Sequence, residues 1–266
     1  MRRHLRLYAA FWRNCIRQVV EYRANFFSNV ATNFGWLFTL ILFLKLIYRN
    51  TQAVAGWTEP EMFILVGTYS VLRGITDTIF YNNLSQLPEQ MRLGTMDFVL
   101  LRPVNSQFFM SLRYVGLDNL GQLVGAVGVL VYGLTQNHVH VTPSGLGAYV
   151  FLMLCAVMIF YSVSLLVMTL SFWLIKLENL FILLDTFYSM ARTPIDVFRA
   201  FGRGPQFLLT YIIPIAFFAA MPVKGLFGRL TDPSIMAAAV GLSVVFFILS
   251  TLFWQYACRS YASASS

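Results

Sequence analysis

The sequence predicts an all-α, polytopic membrane protein, and three observations carry that prediction. Of its 266 residues, 58% are hydrophobic and only 11% are charged. A water-soluble domain carries about a quarter charged residues to cover its surface. Three long intervals contain no Asp, Glu, Lys or Arg: between Arg23 and Lys45, between Asp118 and Lys176, and between Asp232 and Arg259. A hydrocarbon core about 30 Å thick takes about 20 helical residues, and each interval is long enough. No polar stretch is long enough to fold by itself, so residues 1–266 form a single transmembrane domain.

Residues 1–24 form an amphipathic pattern. At 100° per residue Leu5, Tyr8, Trp12, Cys15, Ile16 and Val19 share one face, and Arg2, Arg6, Arg13 and Arg17 another. This predicts an interfacial helix with its arginines towards anionic lipid headgroups. Arg13 and Arg17 also interrupt the apolar region that a cleavable signal peptide needs. Spans follow at 27–48, with Lys45 placed to snorkel, and at 61–81, behind Trp57 as an interfacial anchor. Further spans are predicted at 115–134 and at 146–173, the latter long enough to tilt. The final span is 235–254.

The stretch after Lys176 allows two arrangements. The run 180–191 is apolar but short and contains Asp185; the run 207–221 contains Pro214 and is bounded by Pro205 and Pro222. A run that short with an internal proline suggests a re-entrant or broken helix. Either 180–191 crosses and 207–221 dips in from outside, or 207–221 itself crosses. Both give six transmembrane helices. The basic N-terminus, with 6 of the 19 Lys and Arg in the first 23 residues, predicts cytoplasmic termini. Charge counting favours the second arrangement, which keeps Arg192, Arg199 and Arg203 inside.

The excess of 19 basic over 11 acidic residues is concentrated where it orients and anchors a membrane protein, so it does not point to nucleic acid. Cys15, Cys155 and Cys258 lack metal-ligand spacing and read as small apolar residues. The chain has no Gly-x-x-x-x-Gly-Lys-Ser/Thr loop to cradle nucleotide phosphates, and no Gly-x-Ser-x-Gly or His-Glu-x-x-His signature. His138 and His140 have no Cys, Asp or Glu near them in sequence, so they read as loop imidazoles and no metal is expected.

Arg73 and Asp77 lie four residues apart within the second span and can pair on one face. Charges there cost about 2.5–3.5 kcal/mol each on insertion scales and usually face a bundle interior or aqueous cavity. They are candidates for the translocation path or a subunit interface, with Asp185 beside them; a pair that only fixes packing is the competing reading. Gly121, Gly125 and Gly128 permit close helix approach in the third span. In the segment 84–102, Pro88 suits a first helical turn and Gly94 a helix end. Thr95 suits the cap of a second short helix, which Pro103 stops. Its Glu89, Arg92, Asp97 and Arg102 form a mixed-charge cytoplasmic surface suited to docking.

The run at 94–104, GTMDFVLLRPV, resembles the segment after the second span in the type-two (ABC-2-like) permeases of ATP-binding-cassette exporters. Thr193-Pro194 followed by YIIP at 211–214, and the ending RSYASASS at 259–266, agree with it. The resemblance covers essentially the whole chain and is nearest to a six-span bacterial branch. It implies an exporter permease of the bacterial plasma membrane moving an amphipathic or lipid-like molecule outward. It also implies a second permease subunit, identical or related, and a separate ATPase subunit that carries the ATP and Mg, with no cofactor on this chain. The coupling helix would correspond to 84–102 and a re-entrant hairpin to 194–221, which favours 180–191 as the fifth span. An ion-coupled secondary transporter is the alternative, resting on Asp77 and Asp185. An intramembrane enzyme using His138 or His140 ranks below both.

Overall fold

The computed structural model describes residues 11–13, 15–17, 23–136, 141–174, 178–230 and 234–261. Most of the expected interfacial helix, Lys176, His138, His140 and the end of the tail therefore lie outside the described residues. Among those described, the structure is helical apart from a two-stranded antiparallel ribbon, β1 (Ala53–Val54) with β2 (Trp57–Thr58). Among the described residues, five helices are long and apolar enough to cross a membrane.

The first, α1 (Arg23–Tyr48), exposes most of its apolar side chains, as a lipid-facing helix must. The second is the hub. It begins as α2 (Glu59–Thr76), widens into a π turn at Asp77–Tyr81, and runs on through Asn82–Leu84 to α3 (Leu87–Arg92). This helical run of 34 residues is about 50 Å long at 1.5 Å per residue. It therefore outruns the expected span 61–81, and the first half of the expected coupling segment is its projecting end. Gly94, with φ +65°, ends it, and α4 (Met96–Leu100) follows. Thr95 does not cap α4 with its side chain, contrary to expectation. Its backbone is already helical, and its hydroxyl donates back to the Gln90 carbonyl at 3.4 Å.

After α5 (Ser106–Leu112) and a turn at Leu117–Asn119, α6 (Leu120–Gln136) packs antiparallel along α2. Glycines bring the two backbones together: a Cβ on Gly67 would lie 2.8 Å from the Leu130 backbone, and one on Gly133 2.9 Å from that of Ile64. Of the glycine stripe expected in the third span, Gly121 and Gly125 face Val30 and Leu37 of α1, whereas Gly128 has open space beside it.

The fourth long helix, α7 (Pro143–Thr169), and the last, α11 (Ser234–Ser260), run parallel. Tyr161 meets Phe247, and Phe172, just past α7, meets Trp254. Two parallel neighbours require the chain between them to return once in net. The return starts with α8 (Glu178–Ser189), whose 12 residues span only about 18 Å. Tyr188 stacks on Phe160 in the middle of α7. Asp196 then accepts a hydrogen bond from Trp57 at the opposite end of the bundle from Trp173. Residues 195–226 form only short pieces: Ile195–Phe201, α9 (Arg203–Phe207), Leu208–Ile212, Ile215–Phe218 and α10 (Ala220–Leu226). The apolar run 207–221 is therefore not one helix. Pro214 lacks an N–H and drives Ile213 out of helical geometry (ψ 86°). From Asp196 the chain descends until Phe218 meets Phe160 and Tyr188, then climbs until Lys224 pairs with Asp196 at 2.8 Å.

Of the amphipathic N-terminal stretch, residues 11–13 and 15–17 are helical, and Cys15 is buried against Val115 and Leu117. That part of its apolar face packs on protein as well as suiting a lipid surface.

The α2–α6 contact yields a prediction. Gly67→Leu should destabilise the detergent-solubilised protein by about 1–3 kcal/mol through overpacking, while Gly128→Ala should stay within about 0.5 kcal/mol. Thermal unfolding of the two variants measures both; equal effects would contradict the packing described.

Candidate functional site

The charged residues of the second helix are held by the bundle rather than by their own helix alone. Arg73 Nε lies 3.4 Å from Asp77 Oδ2, one turn along, and Arg73 Nη2 lies 3.2 Å from Asp185 Oδ1 on α8. Its guanidinium also sits 4.6 Å from the Tyr81 ring centre and 5.6 Å from that of Phe160. A cation within about 6 Å of a ring face is attracted by its quadrupole. Arg73 and Asp77 of one helical run and Asp185 from a separate stretch thus form one cluster. The π turn that begins at Asp77 widens the helix, and Gly116 N–H donates to the Thr78 carbonyl at 2.9 Å. Such turns are frequent at functional sites.

Beside this cluster is a cavity of about 290 Å³ between α1, α2 and the start of α6. Trp36, Tyr69, Arg73, Asp77, Asn119 and Arg192 line it, with further polar groups from Asn33, Ser70 and Gln122. Arg192 stands over Tyr69 at 5.2 Å and Trp36 at 5.5 Å. Three buried polar atoms of lining residues have no hydrogen-bond partner among the described residues: Arg73 Nη1, Asp77 Oδ1 and Asn119 Nδ2. Each unmet group costs about 1–3 kcal/mol, so three beside one cavity call for a physical explanation. Nothing in the spacing of Arg192 singles it out in the sequence, because its aromatic partners lie more than 100 residues away. Asn119 and Gln122 carry a weak signal, two amides one turn apart at the entry to an apolar helix.

At the end marked by Trp173 and Trp254, the segment 84–102 presents a different surface from the one its charges suggest. Glu89 accepts two hydrogen bonds from Arg92, at 2.9 and 2.6 Å, which hold its carboxyl below the usual range. Arg102 stacks over Phe109 at 4.6 Å. Asp97 lies in the first turn of α4. Between these lie apolar side chains open to solvent: Leu93, Phe98 and Leu101, the last 81% exposed.

The opposite end is tied by ion pairs that sequence spacing does not reveal. Asp196 binds Trp57 Nε1 at 3.0 Å and Lys224 at 2.8 Å, and Glu61 pairs with Arg229. Burial works to raise the Asp196 pKa. Hydrogen bonds from Lys224 and Trp57, with the charges of Lys224 and Arg199, outweigh it and hold the carboxyl below its usual range.

Together the five long helices and the charge buried among them define a multi-pass membrane protein. The family described as ABC-2 family transporter protein matches residues 34–265, and the chain belongs to that family. As a member it is the membrane component of an ATP-binding-cassette transporter, a class that works with an ATP-binding subunit. Neither curated proteins nor solved structures give a match.

A depressed carboxylate stabilises the fold above its unfolded pKa of about 3.9 and loses that contribution as pH falls through its lower folded value. Asp196→Asn should therefore cost about 1 kcal/mol at pH 7, its pair being partly exposed, or about 2–4 °C in Tm. The gap to the unmodified chain should close below about pH 3.9. A pH-independent gap in thermal unfolding would contradict the assignment.

Proposed function

We propose that the chain is the permease subunit of an exporter in a bacterial plasma membrane, moving an amphipathic or lipid-like molecule outward. The observation that carries this reading is the polar, charged cavity enclosed by helices that otherwise present apolar surface to lipid. A membrane helix keeps unpaired polar atoms at such a position only at a cost that a ligand or path repays. Energy comes from a separate ATPase subunit that holds ATP and Mg, since this chain has no phosphate-cradling loop. A second permease subunit, identical or related, completes the membrane part.

In this reading both termini are cytoplasmic and the Trp173–Trp254 end faces the cytoplasm. The fifth crossing is the composite path that starts with α8 and ends at Asp196. Residues 194–221 form a re-entrant hairpin: the return of Lys224 to Asp196, after Phe218 has reached Phe160, supports it. Arg199 then lies outside, a departure from the positive-inside tendency. Docking of the ATPase falls on α3 and α4, where the exposed Leu93, Phe98 and Leu101 supply apolar anchors and Glu89, Arg92, Asp97 and Arg102 a charged rim.

Two measurements test it. In a complex with its ATPase subunit, Phe98→Asp with Leu101→Asp should lower permease-dependent ATP hydrolysis by about tenfold or more, as loss of apolar anchors does, while the protein still inserts. Unchanged hydrolysis would remove the docking assignment. In a cysteine-free background, Arg199→Cys should react with an impermeant thiol reagent on intact cells, and Leu101→Cys only after permeabilisation; the reverse pattern would overturn the topology. The unpartnered Asp77 Oδ1 favours one second reading, an ion-coupled secondary transporter with Asp77 as the carrier. Transport by the chain alone, driven by a proton gradient without ATP, would establish that reading instead.

A further inference from the structure

We infer that the cavity bounded by Trp36, Tyr69, Arg73, Asp77, Asn119 and Arg192 is a headgroup site for a membrane amphiphile whose polar head carries an oxyanion beside an N–H or O–H donor. This deepens the permease reading and rests on it. It starts from the three unpartnered buried atoms, two of which, Arg73 Nη1 and Asn119 Nδ2, donate, while the third, Asp77 Oδ1, accepts. A bare anion would satisfy the donors and repel the Asp77 carboxylate; a bare cation would do the reverse. A head carrying both an oxyanion and a donor offers a partner to both kinds of group on the residues that line the cavity.

Charge distribution agrees. Arg73 is engaged by two carboxylates, Asp77 and Asp185. Arg192, on the same cavity, rests on aromatic faces, and among the described residues no carboxylate lies within ion-pair distance of it. The positive end of the site is therefore Arg192 and the negative end Asp77. The four charges sum to zero, which suits a head that is itself two-signed or that carries hydroxyls.

Size and position point to an amphiphile rather than a soluble metabolite. At about 290 Å³ the cavity is at the bottom of the range of about 300–1,000 Å³ for sites that enclose a whole organic ligand, so it takes a head and not a tail. Trp36 both lines the cavity and is 58% exposed on the outer face of α1, and Phe43, seven residues on, shares that face with the same exposure. An acyl chain has an apolar track to follow out of the site. The larger cavity at the other end, with Arg199, Lys224 and Arg229, lacks these features: Asp196 and Glu61 already pair its cations.

The test uses the purified full chain in detergent, without its ATPase, and native mass spectrometry of added lipids. The probes are a phosphatidylethanolamine and the phosphatidylcholine of identical chains, which keeps the phosphate but has no N–H donor. Phosphatidylethanolamine should bind about tenfold more tightly. Arg192→Gln should weaken both lipids by about tenfold and Arg192→Lys by much less. Asp77→Asn should erase the preference for phosphatidylethanolamine. If Arg192→Gln fails to fold, Asn119→Leu should weaken both lipids in its place. Equal binding of the two lipids to the unmodified chain would overturn the inference, as would variants that bind like it. Displacement of the lipid by inorganic phosphate at equal concentration would also overturn it, because the tail would then contribute nothing. Such a failure with ATPase coupling intact would leave the permease reading standing.

Discussion

An arginine in hydrocarbon must find its counter-charge within the protein, and much of this bundle is organised by how Arg73 does so. Asp77 lies on the same helix, but Asp185 comes from a short helix more than 100 residues later in the chain. Placing Asp185 there draws α8 against the hub, so that Tyr188 stacks on Phe160 and bonds Ser164. The return path between two parallel helices is thereby fixed where no long apolar run exists to fix it. The penalty for an unpaired ion in low dielectric is large, so pairing selects among packings that apolar contacts alone leave nearly equal.

The same principle divides the molecule by height. At the Trp57 end, Asp196 and Glu61 close ion pairs with Lys224 and Arg229 and hold both ends of the segment 196–224 at one level. In the interior, carboxylates engage Arg73 while Arg192 rests on rings, so polarity is concentrated beside one cavity. At the Trp173 end, Glu89 and Arg92 satisfy each other and leave apolar side chains as the prominent surface. An account of transport by an ABC-2 family member has to connect these three levels. The 34-residue helical run is the element that touches all of them, from Glu61 through Arg73 to Arg92.

Much of the architecture was legible from composition because lipid imposes a simple rule: about 20 apolar residues in a row must become a helix. Charge-free intervals therefore located four of the five long helices closely. The second, which carries Arg73 and Asp77, was expected at 61–81 behind Trp57, but its helical run continues past Tyr81 to Arg92. The run 207–221 was legible as broken, since Pro214 in its middle cannot donate a hydrogen bond and disfavours a helical residue before it. Thr95 misled, because capping depends on the backbone angle at the cap and not only on residue type.

What the sequence determined by itself was the class of molecule, the helices, the pairing of Arg73 with Asp77 at one-turn spacing, and the lack of a nucleotide loop. These depend on local spacing and on transfer from water to lipid, both properties of a linear string. The tertiary structure alone decided that Asp185 joins Arg73, that Arg192 comes to rest on Tyr69 and Trp36, and that Asn119 completes a polar cavity. Those contacts join residues far apart in the chain, and their energies exist only once the helices are packed.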